Sequence, residues 1–69
     1  MLGVIVFAHG SRDPLWRRPV EAVAQQIAQS DPSARVENAY LELCEPDMAT
    51  AAARLVQNGV QTVRVLPLF

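Results

Sequence analysis

The one histidine of the chain, His9, stands in the run VFAHGSRDP at residues 6–14. Imidazole gains or loses its proton near neutral pH and is a common transition-metal ligand, so it can serve either as a base or as a donor. Gly10 and Ser11 behind it leave room for a ligand to reach the backbone. A turn histidine bonded to its neighbours is the plainer alternative. Three carboxylates, Glu42, Glu45 and Asp47, cluster in the middle of the sequence. There they would favour a cation, or merely cap the helix that follows; Glu45, beside Pro46, fits both roles. Arg12, Arg17 and Arg18 put positive charge after the first apolar segment, suited to an acidic small molecule or to a solvated helix start. Ser11 and Asp13 have the chemistry of turn formers. Cys44 has no second cysteine at metal-binding spacing and reads as a small apolar side chain. Trp16 has the shape to lie on a planar ligand, but covering a core edge is the simpler reading.

Some chemistry is excluded by what the first turn lacks. HGSRDP has neither a GxGxxG run nor a terminal Gly-Lys-Ser/Thr, so a nucleotide cofactor is not expected. Phosphoryl transfer through a nucleophilic histidine also uses His-Gly after a first strand, but with an arginine before the histidine. Here that position is Ala8.

The elements that must carry these residues follow from periodicity. Leu2–Ala8 is almost continuously apolar and rich in β-branched residues, the pattern of a buried central strand of a parallel sheet. Val20, Val23, Ala24, Ile27 and Ala28 recur at helical spacing, which predicts a helix over Pro19–Gln29, with an irregular or kinked approach because Pro19 constrains Arg18. Ser30–Ser33 is a turn, and Arg35–Leu41 a shorter, more polar strand. Glu45-Pro46-Asp47 opens a second helix with Pro46 in its first turn. Its buried stripe is expected at Met48, Ala52, Leu55 and Val56, and Gly59 closes it. Val60–Leu66 is the third strand, left by Pro67-Leu68-Phe69. Right-handed crossovers and the apolar first strand give the order 2-1-3 with one helix on each face, and His9 then lies where the two crossovers diverge. The free edge of the third strand needs a partner or more chain.

Length and composition bound the rest. Sixty-nine residues, 51% of them apolar, make one α/β domain over residues 1–69 and no more. A unit this short buries only ~60% of its unfolded surface, so its stability is marginal. One cysteine excludes a disulfide-stapled secreted fold. The start has no basic leader or long apolar run, so neither signal peptide nor membrane span is expected, and the cytoplasm is the default compartment. A net charge of -1 with scattered arginines argues against nucleic acid.

Two segments together, VFAHGSRDP and AYLELCEPDMATAAARLVQNGVQTVRVLPLF at residues 39–69, resemble the small CbiX/SirB-type sirohydrochlorin chelatases. These class II tetrapyrrole chelatases insert cobalt, iron or nickel into sirohydrochlorin-like macrocycles for siroheme, cobalamin and related cofactors. The likeness covers nearly the whole chain, with Trp16–Pro19 its least typical part. It implies a three-layer chelatase-like βαβαβ unit, incomplete on its C-terminal side. It places the metal-ligating, proton-accepting histidine on His9 and a substrate-side acidic residue on Glu45, with Glu42 a second candidate. Ser11 and Arg12 fall in the same motif, Arg12 near the acidic arms of the ring. No cofactor is implied beyond the divalent metal that is itself a substrate. The partners implied are the tetrapyrrole, the metal ion, and either a second copy or a C-terminal half. In the family, a glycine-bearing loop and a second histidine follow the Pro-Leu-Phe exit, and this chain holds one histidine. Metal insertion is therefore expected of the parent enzyme. A non-catalytic tetrapyrrole- or metal-binding module, or an inactive truncated fragment, is the alternative.

Overall fold

A computed structural model describes all of residues 1–69. Strand β1 (Leu2–Ala8) leads through a short 3-10 helix (Pro14–Arg17) into α1 (Arg18–Ser30); β2 (Arg35–Tyr40), α2 (Met48–Gln57) and β3 (Thr62–Pro67) follow. The three strands are parallel in the order β2-β1-β3, as the apolar character of β1 predicts. Alternate residues of β1 supply two small cores. Ile5 joins Ala39, Ala51, Leu55 and Val60 under α2, while Val6 and Ala8 join Val20 and Tyr40 under α1. Each helix thus covers one face of the β1–β2 pair, which gives three layers.

The irregular approach to α1 is the 3-10 helix. Pro14 sits at its start, and the Asp13 side chain accepts a hydrogen bond from the Leu15 amide at 2.9 Å. Pro19 then falls inside the first turn of α1, where its missing amide removes no helical bond. Inward-facing positions of α1 run from Val20 to Ile27; Ala28, expected in the stripe, is exposed.

Three expectations for the second half are corrected. Pro46 does not lie in the first turn of α2, because Asp47 is the N-cap and accepts from the Thr50 amide at 2.8 Å. The buried residues of α2 are Ala51 and Leu55, whereas Val56 is 65% exposed. Met48 and Ala52 are half-buried beside them. Val60 is a core residue ahead of the strand rather than its first member, because the turn after Gly59 (φ 84°) drops it against Leu55.

Neither helix leans over β3. Every residue of that strand is exposed, and its outer edge is unpaired. Gly3, on β1 between α2 and β3, is required by close packing: a Cβ there would lie 2.8 Å from Val60 Cγ1 and 2.9 Å from Leu55 Cδ1. No helix is long and apolar enough to cross a membrane.

Two outcomes follow from this packing. Leu55→Ala opens a cavity in the core under α2 and should cost about 2–5 kcal/mol in urea unfolding, whereas Val56→Ala, at an exposed position, should stay within about 0.5 kcal/mol. Asp47, which accepts from Thr50, titrates below the ordinary carboxylate value. Its capping contribution is therefore present above the unfolded-state pKa and is lost as pH falls through the lower folded value. Asp47→Asn keeps a capping oxygen but should flatten that acid-side loss in a series of unfolding midpoints against pH.

Candidate active site

Parallel strands of an α/β sheet present their carboxyl ends to ligands, and here β1 and β2 end side by side, Ala8 opposite Tyr40. The backbone pairing continues beyond both strands: Leu41 donates to the Ala8 carbonyl and Glu42 to the His9 carbonyl, each at 3.0 Å. The two chains come so close that only glycine fits after His9. Gly10 has φ 109°, and a Cβ on it would collide with the Glu42 carbonyl oxygen. On the other side, Leu43 adopts φ 70°, a left-handed conformation that costs a branched residue about 1 kcal/mol, and reverses the chain. The Tyr40 amide donates to the Pro46 carbonyl at 2.9 Å and closes the loop at its base.

This backbone brings the His9 and Glu42 side chains together, Nε2 to Oε1 at 3.0 Å. Both are about half exposed, 54% and 55%. An exposed pair contributes only about 0–1 kcal/mol to stability, so the strained loop that holds it is not explained by the ion pair itself. A neutral His9 must carry its hydrogen on Nε2 to donate to the carboxylate, which leaves Nδ1 with a free lone pair. In the other neutral tautomer the hydrogen sits on Nδ1, and Nε2 and Oε1 are then two donors 3.0 Å apart that a divalent ion can take together after a small rotation of these half-exposed side chains. No group of three or more His, Cys, Asp or Glu side chains converges anywhere to form a closed metal centre.

The remaining candidates are separated from this pair. Glu45 lies beyond the reversal at Leu43, with Cys44, Pro46, Asp47, Thr50 and Arg54 along an open groove of about 510 Å³ that neither His9 nor Glu42 lines. Ser11 Oγ accepts from the Asp13 amide at 3.1 Å and shapes the turn. Arg12 is exposed and free of any ion pair. Cys44 is half-buried against the core that holds Val6, Ala8 and Tyr40. Burial, with Cys44 beside it, raises the Tyr40 phenol above its ordinary pKa. Trp16 packs on the Tyr40 ring, centroids 6.2 Å apart.

The CbiX family profile matches residues 3–69. The chain belongs to the CbiX family. Relatives include the sirohydrochlorin cobaltochelatases of Methanopyrus kandleri and Sulfolobus acidocaldarius, 35% and 34% identical over 69 residues. All of this CbiX chain aligns with 48% of the first and 54% of the second. The crystal structure of a cobalamin biosynthesis CbiX protein from Marinobacter aquaeolei superposes with a TM-score of 0.80 at 36% identity, covering 100% of this chain and 55% of that one. The chain therefore spans about half the length of the relatives it matches.

Sequence reasoning did not pair His9 with Glu42 ahead of Glu45. The signal was present in the strand lengths, since parallel strands that end level at Ala8 and Tyr40 put the next residues of both chains on one edge. Gly10→Ala combines a forbidden backbone angle with a backbone collision and should destabilise the domain by about 2 kcal/mol or more in chemical unfolding, with the His9 side chain displaced from Glu42 in its NMR spectrum.

Proposed function

We propose that the protein to which this chain belongs inserts a divalent metal, cobalt, iron or nickel, into sirohydrochlorin or a related tetrapyrrole, with His9 and Glu42 at the point of transfer. The observation that carries this reading is the 3.0 Å contact between an imidazole and a carboxylate on an open sheet edge, in a chain of the CbiX family. The names of its relatives supply the substrate class.

The chemistry asks for little more. Insertion exchanges one divalent cation for two pyrrole protons: two N–H bonds break, metal–nitrogen bonds form, and two protons leave. A cargo metal must be bound and then released, so a pair of protein donors with water in the other positions is better suited than a closed site of four. As the metal moves into the ring, His9 and Glu42 regain free lone pairs beside the departing protons. The His9 imidazole accepts one of them, and Glu42 steadies the resulting imidazolium. Ser11 and Arg12, on the same edge, are assigned to the acidic arms of the ring, Arg12 by charge and Ser11 through its hydroxyl hydrogen. Glu45 is given a secondary place, along the groove from which a hydrated cation would approach. No resident cofactor is called for. A second copy or a C-terminal half is proposed as the partner that supplies further ligands. A module that binds without turnover is the second reading, favoured by a chain that holds a single histidine, and the same experiment decides.

Metal insertion, followed by the change in visible absorption of the macrocycle, should fall at least about 100-fold in His9→Ala, as for loss of a general base, and about tenfold or more in Glu42→Gln, while Glu45→Gln stays within a few-fold. Equal losses for Glu42→Gln and Glu45→Gln would remove the special role of the His9–Glu42 pair. Macrocycle binding without any insertion would establish the non-catalytic reading.

A further inference from the structure

The 3-10 helix Pro14–Arg17 carries two large apolar side chains that neither core buries. Leu15 is exposed, Trp16 is 37% exposed, and no residue of the segment is buried. Yet the segment is built to be rigid. The Asp13 carboxylate accepts from the Leu15 amide at 2.9 Å, the Asp13 carbonyl from the Trp16 amide at 3.1 Å, and prolines stand at 14 and 19. Apolar bulk held in water on a pre-organised turn is the mark of a contact surface.

Its position ties it to the site. The indole rests at 57° against the ring of Tyr40, the last residue of β2, which is level with Ala8 of β1 and two residues before Glu42. The Arg17 guanidinium is near enough to the same phenol to lower its pKa against the larger effect of burial. Around Trp16 the run RDPLWRR, residues 12–18, holds three of the six basic residues of a chain whose net charge is -1. The two ion pairs of the structure, His9–Glu42 and Arg54–Glu37, involve none of the three. Asp13, engaged as a cap, and Glu21, on the first turn of α1, are the acidic residues nearby.

We propose that residues 12–18 form a recognition shelf on which Trp16 receives the face of a flat conjugated ring while Arg12, Arg17 and Arg18 pair with its peripheral carboxylates, holding the ring beside His9 and Glu42. This inference rests on the tetrapyrrole reading above and assigns the part of the site that orients the ring. The occupant is a planar polyanion because an unpaired arginine cluster around an exposed indole offers stacking and charge together. Trp16 is a positioning residue; it takes no part in proton or metal transfer.

Trp16 is the only tryptophan, so 5-fluorotryptophan labelling gives a single fluorine NMR signal that reports ring-current contact at that side chain. The probe is uroporphyrin, an octacarboxylate macrocycle, with a tetracationic N-methylpyridyl porphyrin as the charge-reversed control. Uroporphyrin should shift the fluorine signal upfield, and the cationic ring should not. Trp16→Ala should weaken uroporphyrin binding about tenfold, as loss of one aromatic stacking contact does, and Trp16→Phe should retain much of it. The Arg12→Gln, Arg17→Gln, Arg18→Gln triple variant should abolish the preference for the anionic ring. Binding of uroporphyrin with an unshifted fluorine signal and unchanged affinity in Trp16→Ala would overturn the shelf and leave the tetrapyrrole reading intact. Absence of any uroporphyrin binding by the unaltered protein would overturn both.

Discussion

The site depends on one close backbone approach. Where β1 and β2 run out, the chain does not splay apart; two further amide–carbonyl bonds, Leu41 to Ala8 and Glu42 to His9, hold the strand ends in register. The approach is closed by Gly10, whose missing side chain is the space that the Glu42 carbonyl occupies. From that point His9 and Glu42 leave adjacent backbone, and their side chains meet at 3.0 Å. Backbone hydrogen bonds, rather than packing, put these two half-exposed side chains within reach of one another.

The rest of the fold places its resources around that approach. Both helices lie over β1 and β2, and both cores contain residues from those two strands. The cost falls on β3, which has an unpaired outer edge and leaves Val63, Val65 and Leu66 in water. An uncovered strand with an unpaired edge is a liability in a small domain. It accords with a chain that spans about half the length of its relatives. The exit of β3 nevertheless reaches the same edge as the site: the Leu68 amide donates to the Phe7 carbonyl at 2.7 Å, and Phe69 meets Phe7 edge to face.

Much of this was legible from the sequence, for identifiable reasons. The order β2-β1-β3 follows from the contrast between an apolar Leu2–Ala8 and a polar Arg35–Tyr40, and the kinked approach to α1 follows from Pro14 and Pro19. His9 was identifiable because a strand end followed by glycine is an open place. Details that depend on how the chain turns in space were not. Whether Asp47 or Glu45 caps α2 is decided by the backbone angles of the loop at 41–46, and those depend on a left-handed Leu43 that no propensity foretells. The buried face of α2 takes Ala51 and leaves Val56 outside, and the small alanines at 49 and 51–53 give periodicity little to choose between adjacent faces. Trp16 read as cover for a core edge, and it does pack on Tyr40 of the core under α1. What the sequence did not show is that 37% of it stays exposed beside the site.

The most direct test is whether His9 and Glu42 bind a metal as one unit. Calorimetric titration of Co(II) into the unaltered protein, His9→Ala, Glu42→Gln and the double variant completes a double-mutant cycle. A single binding unit gives strong non-additivity, with Glu42→Gln weakening binding when His9 is present and adding almost nothing once His9 is gone. Fully additive losses, or cobalt binding that neither substitution alters, would contradict it.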